Sequence, residues 1–117
     1  MNSETKKIEN LDNENVPYVK TIYVYIQNPN LDEFLLWGAS NFREGQTIEV
    51  KPKPMVMFDV NTSNFVGNVC IYYNWANYYE IDFMYNNQVV QHYEVDGCMV
   101  QSTISNFLKK HFFIVTE

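Results

Sequence analysis

Between Tyr78 and Gly97 the chain reads YYEIDFMYNNQVVQHYEVDG, two alternating runs separated by a pair of asparagines. Apolar–polar alternation at period two marks a strand with one buried face. Adjacent asparagines tolerate the positive φ that a tight hairpin turn requires. The pairing register then decides which side chains share a face. A two-residue loop would set Ile81 against His92 and Phe83 against Val90, mixing apolar and charged groups on both faces. A three-residue loop, Asn86 to Gln88, sets Tyr85 against Val89, Phe83 against Gln91, Ile81 against Tyr93 and Tyr79 against Val95. It leaves Glu80, Asp82 and Met84 opposite Glu94, His92 and Val90. Because a one-residue slip exchanges whole faces, burial favours the register that sorts them. The three-residue loop is therefore expected, with the rings turned inward and the acids left outside beside the imidazole.

The rest of the chain reads as more of the same architecture. Residues 1–16 are charged and amidated with little to bury, so they are expected to form a flexible polar arm before a single domain over 17–117. YVKTIYVYIQ, Tyr18 to Gln27, is rich in β-branched and aromatic residues and predicts a strand apolar on both faces. Pro29 stops it. In LDEFLLWGASNF, Leu31, Phe34 and Leu35 have helical spacing and predict one or two helical turns, with a short strand at Phe34–Trp37 as the alternative. REGQ reads as a turn, TIEVKP as a half-buried strand, and KPKP as an edge or extended link. MVMFDV and FVGNVCIYYN predict two further strands, the second with a bulge at Gly67. Near the C-terminus, Val100, Ile104, Phe107 and Leu108 share a helical face, which predicts an amphipathic helix over about Thr103–Phe112 capped by Ser102. FFIVTE either adds a last strand or packs its rings. The fold class expected is α+β, mainly antiparallel β, with six to seven strands in a small sandwich or partly open barrel and one C-terminal amphipathic helix.

Composition restricts function more than it identifies it. With 117 residues, 46% of them hydrophobic, the chain can bury one core without metal or disulfide support. Eight basic residues against fourteen acidic ones give a net charge of −6, which disfavours phosphate-backbone binding and suits a protein partner with a basic surface. The wealth of Asn, Tyr, Ile and Lys fits an AT-rich genome such as that of a phage or virus. The polar start is not a signal peptide and no apolar run is long enough to span a bilayer. A cytoplasmic protein of the producing or host cell is expected, with secretion of a processed form left open. Cys70 and Cys98 both sit among apolar residues and read as reduced core thiols ahead of a bridge.

No nucleophile elbow, phosphate-binding glycine loop or zinc spacing is present. The expectation is a non-enzyme with no catalytic residue, no cofactor and no metal. Asp82 across from His92 would suit a general base held by a carboxylate, but a solvated polar pair is the plainer reading. Two uses remain. In the first, an interaction module or inhibitor presents Tyr73, Trp75 and Tyr78 as aromatic anchors, with Glu80, Asp82, His92 and Glu94 forming an acidic strand face for a basic protein. In the second, the Asn74–Asn77 loop (NWAN) stacks on a small ligand or glycan. Trp75 at that loop tip folds back over the sheet edge, projects as a contact ring for a partner or ligand, or serves as a crystal or oligomer contact. A homodimer through the edge near Lys51–Pro54 is left open.

Overall fold

The computed structural model describes residues 10–110. Helices α1 (Val16–Gln27) and α2 (Leu31–Leu36) precede five strands, β1 (Ser40–Gln46), β2 (Pro54–Asn61), β3 (Val66–Tyr73), β4 (Tyr79–Tyr85) and β5 (Gln88–Val95). Helix α3 (Val100–Lys109) follows. The strands form one antiparallel sheet in the order β1-β2-β3-β4-β5, so each pairs with its neighbours in sequence. The α+β class and the C-terminal helix agree with expectation. The strand count does not: among the described residues there are five strands in a single open sheet, not six or seven in a sandwich or barrel.

The main correction is Tyr18–Gln27, which is helix and not strand. Its buried residues are Val19, Ile22 and Ile26, spaced three and four apart along one helical stripe. Pro17 lies in the first turn, where a missing N–H costs nothing. The β-branched and aromatic composition suggested a strand, but a weak propensity yields to an apolar stripe that has a sheet to pack on.

A second correction concerns the first strand. REGQ is not a turn but the end of β1, while Thr47–Lys51 is a loop and not a strand. Gln46 decides where the strand ends up: its buried Oε1 accepts from the Asp12 backbone N–H at 2.9 Å and from Asn15 Nδ2 at 2.9 Å. Those contacts also order residues 12–15, within the stretch expected to be a loose arm. Residues 1–9 of that arm, and the FFIVTE segment, lie outside the described residues.

The opening hairpin is right from Phe83 to the strand's far end and wrong at its turn. Phe83 pairs with Gln91, Asp82 with His92, Ile81 with Tyr93, Glu80 with Glu94 and Tyr79 with Val95. The turn itself has two residues, with Tyr85 opposite Gln88, and Asn86 and Asn87 both at positive φ (53° and 64°). A bulge between Phe83 and Met84 absorbs the extra residue. The register that buries the apolar face is kept, and the bulge holds the residue that a longer loop would have taken.

The core lies between the helices and one face of the sheet. It joins Val19, Ile22 and Ile26 of α1 and Ile104 and Phe107 of α3 to Val56, Phe58, Val69, Ile71, Ile81 and Phe83. Phe107 stacks on Phe83 at 3.8 Å between ring centroids. Trp37, just past α2, stacks on Phe58 and donates its indole N–H to Ser105 Oγ at 2.8 Å, tying α2 to α3. Helix α3 begins at Val100, and Ser102 donates to Met99 O instead of capping the helix. Gly67 lies in regular pairing with Val60, not in a bulge. A Cβ there would stand 2.2 Å from Met84 O, so glycine is required by close approach of β4.

Candidate functional site

The sheet face away from the helices carries Met55, Met57 and Asp59 from β2, Asn68, Cys70 and Tyr72 from β3, and Glu80, Asp82 and Met84 from β4. His92 and Glu94 of β5 extend it. This is the acidic face expected from the sequence, and Asp82 and His92 do share it. Its exposure differs from expectation. Asp82 and Glu80 are buried, at 3% and 9% exposed, while His92 and Glu94 remain exposed. Buried carboxylates need partners, and each has one. Asp82 Oδ1 is 2.5 Å from His92 Nδ1. Glu80 Oε2 accepts from Lys53 Nζ at 2.9 Å. Burial alone would lower the Lys53 pKa, but the hydrogen bond and charge of Glu80 outweigh it and the net shift is upward. Farther along, Asp59 is held low chiefly by the amide of Asn41, with Arg43 and Asn68 adding. Glu94 accepts from Asn74 Nδ2 at 2.8 Å. Most of the acids thus serve internal pairs.

The aromatic loop is likewise turned inward. Trp75 is half-buried and folds back, the first of the three uses expected of it. Its Nε1–H donates to Pro52 O at 2.9 Å, Lys51 Nζ lies 4.7 Å from the ring centroid, and its edges meet Tyr18 and Tyr73. Tyr18 stacks on Tyr73 at 5.0 Å, and the row continues through Tyr79 to Tyr25. These rings chiefly grip one another, joining α1, the loop after β1 and the loop after β3. Trp75 and Asn77 take φ of 66° and 67°, and the Asn74 side chain accepts from Ala76 N and Tyr78 N to hold the turn. Of the three ring residues expected to touch a partner, Tyr78 is exposed while Tyr73 and Trp75 are half-buried.

Cys70 is buried on the same face, 3.6 Å from Met84 Sδ. Cys98 is exposed, not in the core, and the two thiols are unbridged. Among the described residues no group of three or more His, Cys, Asp or Glu side chains is arranged to hold a metal ion, and no helix is long and apolar enough to cross a membrane.

The surface that the sequence reading missed lies on α2. This six-residue helix has no buried residue, and Leu31, Leu35 and Leu36 are 55%, 61% and 74% exposed. It is nonetheless firmly anchored. Asn30 Oδ1 caps it by accepting from Glu33 N at 3.0 Å. Buried Gln101 of α3 accepts from Asn30 N and donates to Asn30 O and Ile26 O. Glu33 pairs with Lys109 at 2.8 Å, which holds its carboxyl below the usual range. Phe34 meets Trp37 edge-on and leans towards Phe42, itself 36% exposed. The signal was present in LDEFLL: so short a helix cannot bury four large apolar side chains on one neighbour.

No protein-family model matches the chain, and no characterised protein or solved structure is detectably similar to it.

Proposed function

We propose that this protein is a non-enzymatic protein-interaction module that docks a partner on the leucines of α2. The observation that carries the reading is the combination of exposure and anchorage there. Three leucines stand more than half exposed on a helix fixed at its cap, at its start and beside Lys109. Covering a leucine fully is worth roughly 1.5–3 kcal/mol, and clustered exposed apolar groups on an otherwise well-packed domain mark contact surfaces. Asp32 on the helix is exposed, and the chain's net charge is −6. The partner this suits is a protein with an apolar patch rimmed by Lys or Arg. The basic-partner expectation is kept, but its contact moves from the strand face, where Glu80 and Asp82 are internally paired, to α2.

Leu35→Glu and Leu36→Glu together test the reading. Both positions are solvent-facing, so the doubly substituted protein should keep its thermal midpoint. A protein recovered by the wild type from extracts of the producing or host cell, and then purified, should bind wild type and a Tyr78→Ala control alike. It should lose at least about tenfold in affinity for the leucine variant. Equal affinity for all three would place the contact elsewhere.

A further inference from the structure

Strand β5 forms one edge of the sheet, and among the described residues nothing pairs with its outer side. Edge strands normally carry lysine, proline or irregularity that discourages pairing. The opposite edge, β1, does so: its pairing breaks between Ser40 and Arg43, and Asn41 sits at φ 55°. Beyond its bulge, β5 has no lysine, proline or further irregularity, and its one carboxylate is Glu94. Gln91, His92, Tyr93, Glu94 and Val95 continue in regular register with β4. We propose that β5 pairs antiparallel with β5 of a second copy of this chain, through a two-fold axis at Tyr93.

The side chains select that register. Keeping both sets of helices on one side of the joined sheet requires like faces to meet, so the slip changes in steps of two. With Tyr93 opposite Tyr93, His92 faces Glu94 of the second copy on the helix-free face, twice by symmetry. Gln91 then faces Val95 on the other. One step in either direction opposes Glu94 to Glu94, which like charge disfavours, or His92 to His92, which gives up both His92–Glu94 contacts. The residues are also prepared for the contact. Asp82 holds His92 through Nδ1, and Asn74 steadies Glu94. A symmetric contact of this kind is isologous and closes at two copies.

Sedimentation equilibrium on the full chain, from about 5 to about 500 µM, reads the association. The expected result is a monomer–dimer equilibrium that stops at two copies. Glu94→Lys, on an exposed side chain, should weaken it at least about tenfold without lowering the thermal midpoint. In a Cys98→Ser background, Tyr93→Cys should give a disulfide-linked dimer under mild oxidation, and Val89→Cys should not. A monomer at every concentration overturns the proposal. So does a Glu94→Lys protein that associates as well as wild type, or cross-linking that is no better at 93 than at 89. None of these readouts involves the α2 leucines, so the two proposals stand or fall separately.

Discussion

Asp82 is buried, and its carboxylate lies 2.5 Å from the Nδ1 of a half-exposed His92 directly across the β4–β5 ladder. The pair is asymmetric. Removing the imidazole strands a buried carboxylate, whereas removing the carboxylate leaves a ring that water can reach. His92→Ala should therefore lower unfolding stability by about 1.5–3 kcal/mol. Replacing both residues with leucine should recover most of the loss, since no buried carboxylate is then left without a partner. Urea denaturation of the single and double variants measures both terms. A His92→Ala protein as stable as wild type would show that Asp82 does not depend on the ring.

Gly67 should tolerate no Cβ. Gly67→Ala places a methyl 2.2 Å from the backbone oxygen of Met84 and 2.8 Å from the Phe65 ring. The backbone cannot yield as a side chain can, so a loss of about 1–3 kcal/mol is expected. Gly38→Ala meets no atom within 4 Å but must hold φ 61°, which should cost about 1–2 kcal/mol from conformation alone. Crystal structures of the two variants separate the causes: strand displacement is expected at 67 and none at 38.

The Trp37–Ser105 hydrogen bond fastens α2 to α3. Ser105→Ala should cost about 0.5–1.5 kcal/mol, while Trp37→Ala, which also removes the ring stacked on Phe58, should cost about 3–5 kcal/mol. Thermal unfolding with a single shared transition checks the order.

High pH should unfold the domain through its phenols. Burial pushes the Tyr79 pKa up to about 12, with Tyr25, Tyr73 and Tyr18 adding to the shift. Tyr72 and Tyr23 are also raised, each mainly by burial. In the unfolded chain these groups titrate near 10.0. Their folded pKa values lie above the unfolded ones, so the stability they contribute is intact below pH 10.0 and is lost as pH rises through about 12. Tyrosinate absorbance and loss of circular dichroism should appear in one transition. Smooth phenol titration with the fold intact would count against buried rings at Tyr72 and Tyr79.

Sequence alone revealed β2, β3, α2, α3 and the pairing of β4 with β5 up to Phe83, because a half-buried strand or helix writes its period into the side chains. It misread α1, although apolar groups on both strand parities were a warning. Val19, Ile22 and Ile26 fit a helix laid on a sheet at least as well. The turn at Asn86–Asn87 was missed because a bulge at one position does the work of a loop residue at another. Asp82 and His92 were paired correctly, but their burial was not legible. It depends on Lys53, Cys70 and Tyr72, which arrive from strands and a loop distant in the chain. Leu31, Phe34 and Leu35 showed a helix, but its exposure was not read from them, since periodicity reports which residues share a face and not whether anything covers it.

Because every strand lies beside the one that precedes it in the chain, the sheet can zip from any of its hairpins with short loop closures. Helix α1 is the exception: it is made first and must wait for β2 and α3 before Ile22 and Ile26 have a surface to meet. Folding is thus expected to be limited by sheet formation and completed by helix docking. Ile81→Val should then slow refolding, while Ile22→Val should mainly speed unfolding.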